Sequence, residues 1–359
     1  EEDYNLYWDA SNSTLTLKNA EFSKDNTAAI NATVETLTVQ LIGANTVSIT
    51  HTENSPFVAI SNEGELKLIA EEDASLSVTV LQAVDLDSNK SVTGIYTEKG
   101  LTNAANVTVR VISSEQTDCS GTLIGIGCGI QDEQPAYLFN AGAITAEAQN
   151  NSLKAWYGTV SRGILLYGGA MQNTGELNLK ANTINGSAYG LSGLETTQPW
   201  SNEGNVTADV TACGGNFEGV SPDLYTNSNH ANAVSIVSGS SIQMENTGTM
   251  DLTAKNSGKN HTLEYAIGLE LDGDGTTFSN SGDLSIKALE GYTFGIFIGH
   301  YKADGSMTNS GNLDIEVTTD GEDCNPNGFA QATGIAINLE NFQSNPVPLK
   351  NELILDPGS

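Results

Sequence analysis

The stretch Phe278-Ser279-Asn280-Ser281-Gly282-Asp283-Leu284-Ser285-Ile286-Lys287-Ala288 decides the fold. It reads apolar-x-Asn-x-Gly-x-apolar-x-apolar-x-Ala. The same order of residue types, with Gly or Ala two after the Asn and Ala or Val eight after it, surrounds eight asparagines: Asn62, Asn103, Asn140, Asn173, Asn202, Asn246, Asn280 and Asn309. Their separations are 41, 37, 33, 29, 44, 34 and 29 residues. Units of this length that tolerate insertions mark a solenoid, in which each supersecondary unit buries its apolar face only against its neighbours.

Aligning the units gives apolar columns. Two residues before each Asn stand Ile60, Leu101, Leu138, Met171, Trp200, Met244, Phe278 and Met307, and four after stand Leu66, Val107, Ile144, Leu177, Val206, Met250, Leu284 and Leu313. The columns six and eight after are aliphatic throughout. A period of two means strands with one buried face. A second signal is a small residue followed by aliphatic residues: Gly94-Ile95, Gly125-Ile126, Gly163-Ile164, Gly190-Leu191, Ala266-Ile267, Gly295-Ile296 and Gly334-Ile335. Two strands per turn are thus visible. Equivalent strands of successive units must run parallel, and the links between them are too short for crossover helices.

The expected fold is all-β: a single-stranded parallel β-helix, right-handed by extension of the preference of parallel crossovers. Opening strands near Leu15 to Leu17 and Leu37 to Leu41, and a closing one at Leu353 to Leu355, bring the count to about ten turns, a rod on the order of 50 Å long. The repeat continues without a Pro/Ser-rich linker, so residues 1–359 read as one domain. A start at Glu1-Glu2-Asp3 and a last turn without a polar cap suggest a fragment of a longer protein, because a bare solenoid end exposes strand edges.

The formal charge is −30, from 44 acidic and 14 basic side chains, and only Arg110 and Arg162 are arginines. Nucleic acid and anionic membranes need clustered cations and are excluded as partners on that ground. No apolar run has the roughly 18 residues of a membrane span. Seven residues after each Asn, from the second unit onward, stand Arg110, Glu147, Lys180, Asp209, Thr253, Lys287 and Glu316. In a parallel ladder these would face one another outside the rod and pair by charge, setting register. The asparagines themselves share the parity of the buried columns, so stacked amides would hydrogen-bond along the rod axis, and Gly two residues later would supply the backbone angles of a corner.

Chemistry is harder to find. His51, His230, His261 and His300 are scattered and have no Ser or Cys partner at a recognisable spacing. Cys119, Cys128, Cys213 and Cys324 lack zinc spacing; a local Cys119–Cys128 loop and idle buried thiols are both open. Asp85-x-Asp87-x-Asn89, Asp272-Gly273-Asp274-Gly275 and Asp320-Gly321-Glu322-Asp323 are oxygen-rich turns at which calcium is conceivable, but none completes an EF-hand loop, and no cofactor is expected. Sugar sites favour aromatic platforms beside polar groups. Outside the repeat columns the candidates are Trp156, Tyr157, Tyr225 and Tyr301, while Trp200 belongs to a buried column.

The opening Tyr7-Trp8-Asp9-Ala10, Thr14 to Ala20 and Leu37 to Val47 resemble the first turns of β-helical surface proteins of gut and clostridial bacteria, some of them carbohydrate-binding. Asn246-Thr247-Gly248 and Asn280-Ser281-Gly282 are similar to the coils of bacterial autotransporter and adhesin passengers. The resemblance implies an exported, cell-surface or extracellular interaction module, stalk- or adhesin-like, with a glycan or cell-surface polysaccharide as partner and no membrane insertion within this stretch. It transfers no site residue. The alternative it allows is a polysaccharide lyase or glycoside hydrolase on the same scaffold.

Overall fold

The computed structural model describes residues 5–129, 135–152, 159–184, 186–212, 229–256, 264–299, 305–319 and 332–337. Among these residues, 31 strands fall into three sheets, one of eleven strands and two of ten. The first sheet runs from Leu6–Asp9 to Ser306–Asn309, the second from Glu21–Asp25 to Asn312–Thr318, and the third from Ile30–Ala32 to Ala332–Ile337. Each strand pairs in parallel with its equivalents one turn away; Leu6–Asp9, antiparallel to Thr14–Lys18, is the exception. The chain is a parallel β-helix of about ten turns. The strand expected at Leu353 to Leu355 lies outside the described residues.

Each turn has three strands, not two. The repeat motif spans a corner: in one unit Thr277–Asn280 belongs to the first sheet and Asp283–Leu289 to the second. Two residues separate them, an even number, so inward parity passes through the corner unbroken and the two strands read as one period. The Gly-Ile segments form the third sheet.

Columns become vertical files. Val107, Ile144, Leu177, Val206, Met250, Leu284 and Leu313 pair in succession, and all but Leu313 are fully buried. In the corner file Trp200 is buried, and its indole Nε1 donates to the Gly169 carbonyl at 2.9 Å. The asparagine file carries a continuous side-chain ladder. Asn103 Nδ2 donates to Asn140 Oδ1 at 2.8 Å, and the chain of amides continues through Asn173, Asn202, Asn246 and Asn280 to Asn309 at 2.6 to 2.8 Å. The same Nδ2 atoms reach backbone carbonyls such as Gly175 and Gly204, which fixes which end of each amide is nitrogen.

Three expectations need correction. Asn62 is not in the ladder: it lies in the third sheet, paired with Thr97, and its follower Leu66 pairs with Leu101 of the first sheet. It braces a different corner in its own way, its Nδ2 donating three residues ahead to the Glu65 carbonyl at 2.7 Å where the ladder asparagines reach two residues ahead. In the third sheet the file through Ile126, Ile164, Leu191 and Val234 continues at Leu269, not Ile267, so Gly268-Leu269 is the equivalent pair and Ile267 points outward. The corner glycines have ordinary negative φ; what demands Gly is crowding, since a Cβ at Gly248 would sit 2.1 Å from the Gly204 carbonyl oxygen of the turn before.

Cys119 and Cys128 are free, buried thiols, not a disulfide, and burial pushes each up to about 12. His51 is also structural: it is buried, bonds Gln82 Oε1 through Nδ1 at 2.6 Å and stacks on Phe57.

Candidate functional site

With the inward files occupied by packing, chemistry is confined to the three outer faces. The second sheet presents the charge file in the expected register, Arg110 beside Glu147, Glu147 beside Lys180, Lys180 beside Asp209, and Lys287 beside Glu316. Arg110 Nε lies 2.6 Å from Glu147 Oε2, and Lys287 Nζ 3.6 Å from Glu316 Oε2. The exposed Lys287–Glu316 pair sets register and adds little stability, while in the other a half-exposed Arg110 meets a buried Glu147. Arg110 is therefore occupied.

The first sheet carries a shallow groove of about 480 Å³ on its outer face. Its floor is the file Phe139, Gln172, Ser201, Glu245 and Ser279, one residue per turn. Phe139 is 39% exposed and stacks on Tyr137 with ring centroids 4.5 Å apart. Burial and a hydrogen bond to Glu65 push the Tyr137 hydroxyl up to about 12, so it stays a donor, and Glu65 is further tied to Thr36 and Lys67. The result is a braced aromatic platform at the head of a row of uncharged and acidic hydrogen-bonding groups.

The third sheet is different in kind. Two outward files run along it: Ile124, Arg162, Tyr189, Asn232, Ile267, Phe294, and beside it Leu165, Ser192, Ser235, Glu270, Phe297. The Arg162 guanidinium rests 5.2 Å from the centroid of the Tyr189 ring, and burial lowers its pKa. Tyr189 is raised, first by burial and then by the nearby Glu270 carboxylate. Glu270 Oε2 accepts from Asn232 Nδ2 at 2.6 Å and from Ser235 Oγ at 2.5 Å. Burial, with Phe297 on the next turn, pushes its carboxyl up to about 7; Asp272, two residues along the same face, adds to the rise, and the two donors oppose it. Beyond Glu270 the strip turns apolar, where Ile267, Phe294, Phe297 and Ala336 form a second cluster outside the main core.

None of the four aromatic candidates from the sequence can be placed: Trp156, Tyr157, Tyr225 and Tyr301 lie outside the described residues. So does Asp320 to Asp323. Asp85 and Asp87 are taken up by protein donors, the Asp118 amide for the first and Lys90 and Asn54 for the second. Among the described residues no three His, Cys, Asp or Glu side chains gather as a metal cage. Sequence reasoning missed Phe139, Arg162, Tyr189 and Glu270 as site residues. The signal for two of them was present: Arg162 and Tyr189 each stand immediately before the glycine of a Gly-Ile or Gly-Leu pair, a column that faces outward.

No protein-family model, curated protein or solved structure matches this chain.

Proposed function

We propose that the chain is an exported, surface-displayed interaction module, adhesin-like, that binds neutral glycans along the outer face of the first sheet. The observation that carries this reading is the exposed Phe139 ring, braced by Tyr137 at the head of the groove. A pyranose stacks its C–H face on such a ring, and the hydroxyls of a chain laid along the rod meet Gln172, Ser201 and Glu245 on successive turns about 4.8 Å apart. Lys67, two turns before Phe139 on the same face, is held by Glu65, which suits a ligand without charge. Phe139→Ala tests this on a glycan array. The expected result is loss of binding by about tenfold or more with an unchanged melting curve; retained binding would remove the groove from the reading.

A second reading, glycan hydrolysis, is favoured by one observation: Glu270, a carboxyl pushed up to about 7, shares a strand face with Asp272. A carboxyl raised by burial with a second carboxyl beside it is the arrangement from which a general acid is built. Depolymerisation of a polysaccharide panel, with and without calcium, that disappears in Glu270→Gln would support it, and an inert panel would end it.

A further inference from the structure

The third sheet's outer strip holds two polar groups that the fold leaves unanswered. Arg162 Nε is sealed from solvent, and among the described residues it makes no hydrogen bond and no carboxylate pairs with its guanidinium. Asn232 is fully buried; its Nδ2 is committed to Glu270, and its Oδ1 has no donor. These two residues stand two turns apart with the Tyr189 ring between them.

Such groups carry a cost. A mostly buried guanidinium without a counterion, and a buried amide oxygen without a donor, each oppose folding unless something satisfies them. Acidic side chains outnumber basic ones 44 to 14, yet none of the described carboxylates pairs with Arg162. The chain's other arginine, Arg110, has its glutamate at 2.6 Å. Glu270, the nearest carboxylate along the strip, is three turns from Arg162 and is already engaged by Asn232 and Ser235.

The missing partner is therefore an anion at one end and a hydrogen-bond donor at the other. A planar guanidinium fork matches a carboxylate. The Glu270 carboxyl, which holds the Asn232 amide from one side, offers acceptors that call for hydroxyls. Arg162, Tyr189 and Glu270 each keep part of their surface exposed, so a ligand can approach the strip at these three, while Asn232, Ser192 and Ser235 lie buried between them. We propose that this strip, from Arg162 across Tyr189 to Glu270, binds an acidic sugar, its carboxylate on Arg162 and its ring hydroxyls on Glu270. The site is on a different face from the neutral-glycan groove and stands or falls separately from it.

Calorimetric titration of the full chain with trimers of galacturonate, glucuronate and mannuronate tests the assignment, with the carboxyl-reduced trimers and triglutamate as controls. At least one uronate trimer is expected to bind about tenfold more tightly than its reduced counterpart and than the peptide. Arg162→Gln is expected to abolish that preference while leaving the melting temperature unchanged or raised, since it removes an unpaired buried cation. Arg162→Lys keeps the charge without the fork and is expected to fall between the two. Equal binding of acidic and reduced trimers, equal binding of peptide, no binding by any uronate, or full affinity in Arg162→Gln would each overturn the proposal. A marked fall in melting temperature for both variants would do so as well, because it would make Arg162 a structural residue. Binding of neutral glycans by Phe139→Ala is the separate readout for the groove.

Discussion

Asn202 sits mid-ladder, and replacing it with alanine measures what the amide file contributes. The side chain makes four contacts: Nδ2 donates to Asn246 Oδ1 at 2.7 Å, Gly204 O at 3.2 Å and Thr249 O at 3.1 Å, and Oδ1 accepts from Asn173 Nδ2 at 2.8 Å. Asn173 keeps two backbone acceptors after the change, Gly175 O and Asn205 O. Asn246 Oδ1, buried, is left without a donor. An orphaned buried acceptor costs about 1–3 kcal/mol and each lost bond about 0.5–1.5 kcal/mol net, so with four bonds lost and one acceptor orphaned Asn202→Ala is expected to destabilise by about 3 kcal/mol or more. Asn309, at the other end of the file, only receives from Asn280 and donates to Gly311 O, and Asn309→Ala should cost about 1 kcal/mol.

The direction of the ladder sharpens the comparison. Asn202→Asp can still accept from Asn173, but it sets an oxygen against three acceptors, Asn246 Oδ1, Gly204 O and Thr249 O, where Asn309→Asp sets one against Gly311 O alone. Urea unfolding followed by circular dichroism gives the magnitudes, and hydrogen exchange at the amides of Thr247 and Gly248, which donate to the Asn202 carbonyl, locates them. Because a solenoid is stabilised by nearest-neighbour interfaces, Asn202→Ala should open exchange in the adjoining turns before the distant ones. If Asn202→Ala and Asn309→Ala agree to within about 0.5 kcal/mol, the amide file is a passenger of the backbone ladder and the reasoning is refuted.

Two further outcomes follow from the same geometry. Gly248→Ala would place its Cβ 2.1 Å from a backbone oxygen and should cost about 3 kcal/mol or more, whereas Gly239→Ala, with no atom within 4 Å, should be neutral or slightly stabilising by thermal melting. Burial raises the Glu270 carboxyl from its ordinary 4.5 to about 7, so the folded chain holds this proton more tightly than the unfolded one. The stability it lends is complete below about pH 4.5 and is lost as pH rises through about 7. At ~1.36 kcal/mol per pH unit the loss is capped near 3 kcal/mol, and solvent at the part-exposed carboxyl lowers it. Glu270→Gln should therefore gain on the native chain between pH 5 and 8 in melting temperature; parallel pH profiles would refute this.

Most of the architecture was legible because a solenoid writes its lateral neighbours at recurring offsets. Leu177, Val206 and Met250 share a column in the sequence and a file in the rod; so do Arg110 and Glu147. What misled was local chemistry that does not know its corner. Asn62 and Asn103 both begin a tight Asn-x-(Gly/Ala) turn, yet one leads from the third sheet to the first and the other from the first to the second. Only the pairing across turns separates them. Gly142 and Gly248 were read for backbone angles when the constraint is a carbonyl of the turn below, a contact between residues tens of positions apart. The strip of the third sheet was harder still: Arg162, Tyr189, Asn232 and Glu270 come together through strands separated by insertions of unequal length, and no local pattern joins them.

The three outer faces allow a test by regularity. An inward position is constrained by the residues directly above and below it, so its file stays uniform, as the asparagines do across six links. An outward file in contact with solvent needs only to avoid like charges, and the second sheet's face does that. The third sheet's file obeys neither rule. Ile124, Arg162, Tyr189, Asn232, Ile267 and Phe294 change character at nearly every step while remaining largely covered, and two of them keep polar atoms that no described residue satisfies. Stacking alone would have filled those slots with Val, Ile or Thr, at lower desolvation cost and with better pairing. A covered strip that forgoes that stability is best explained by a partner whose carboxylate and hydroxyls complete it.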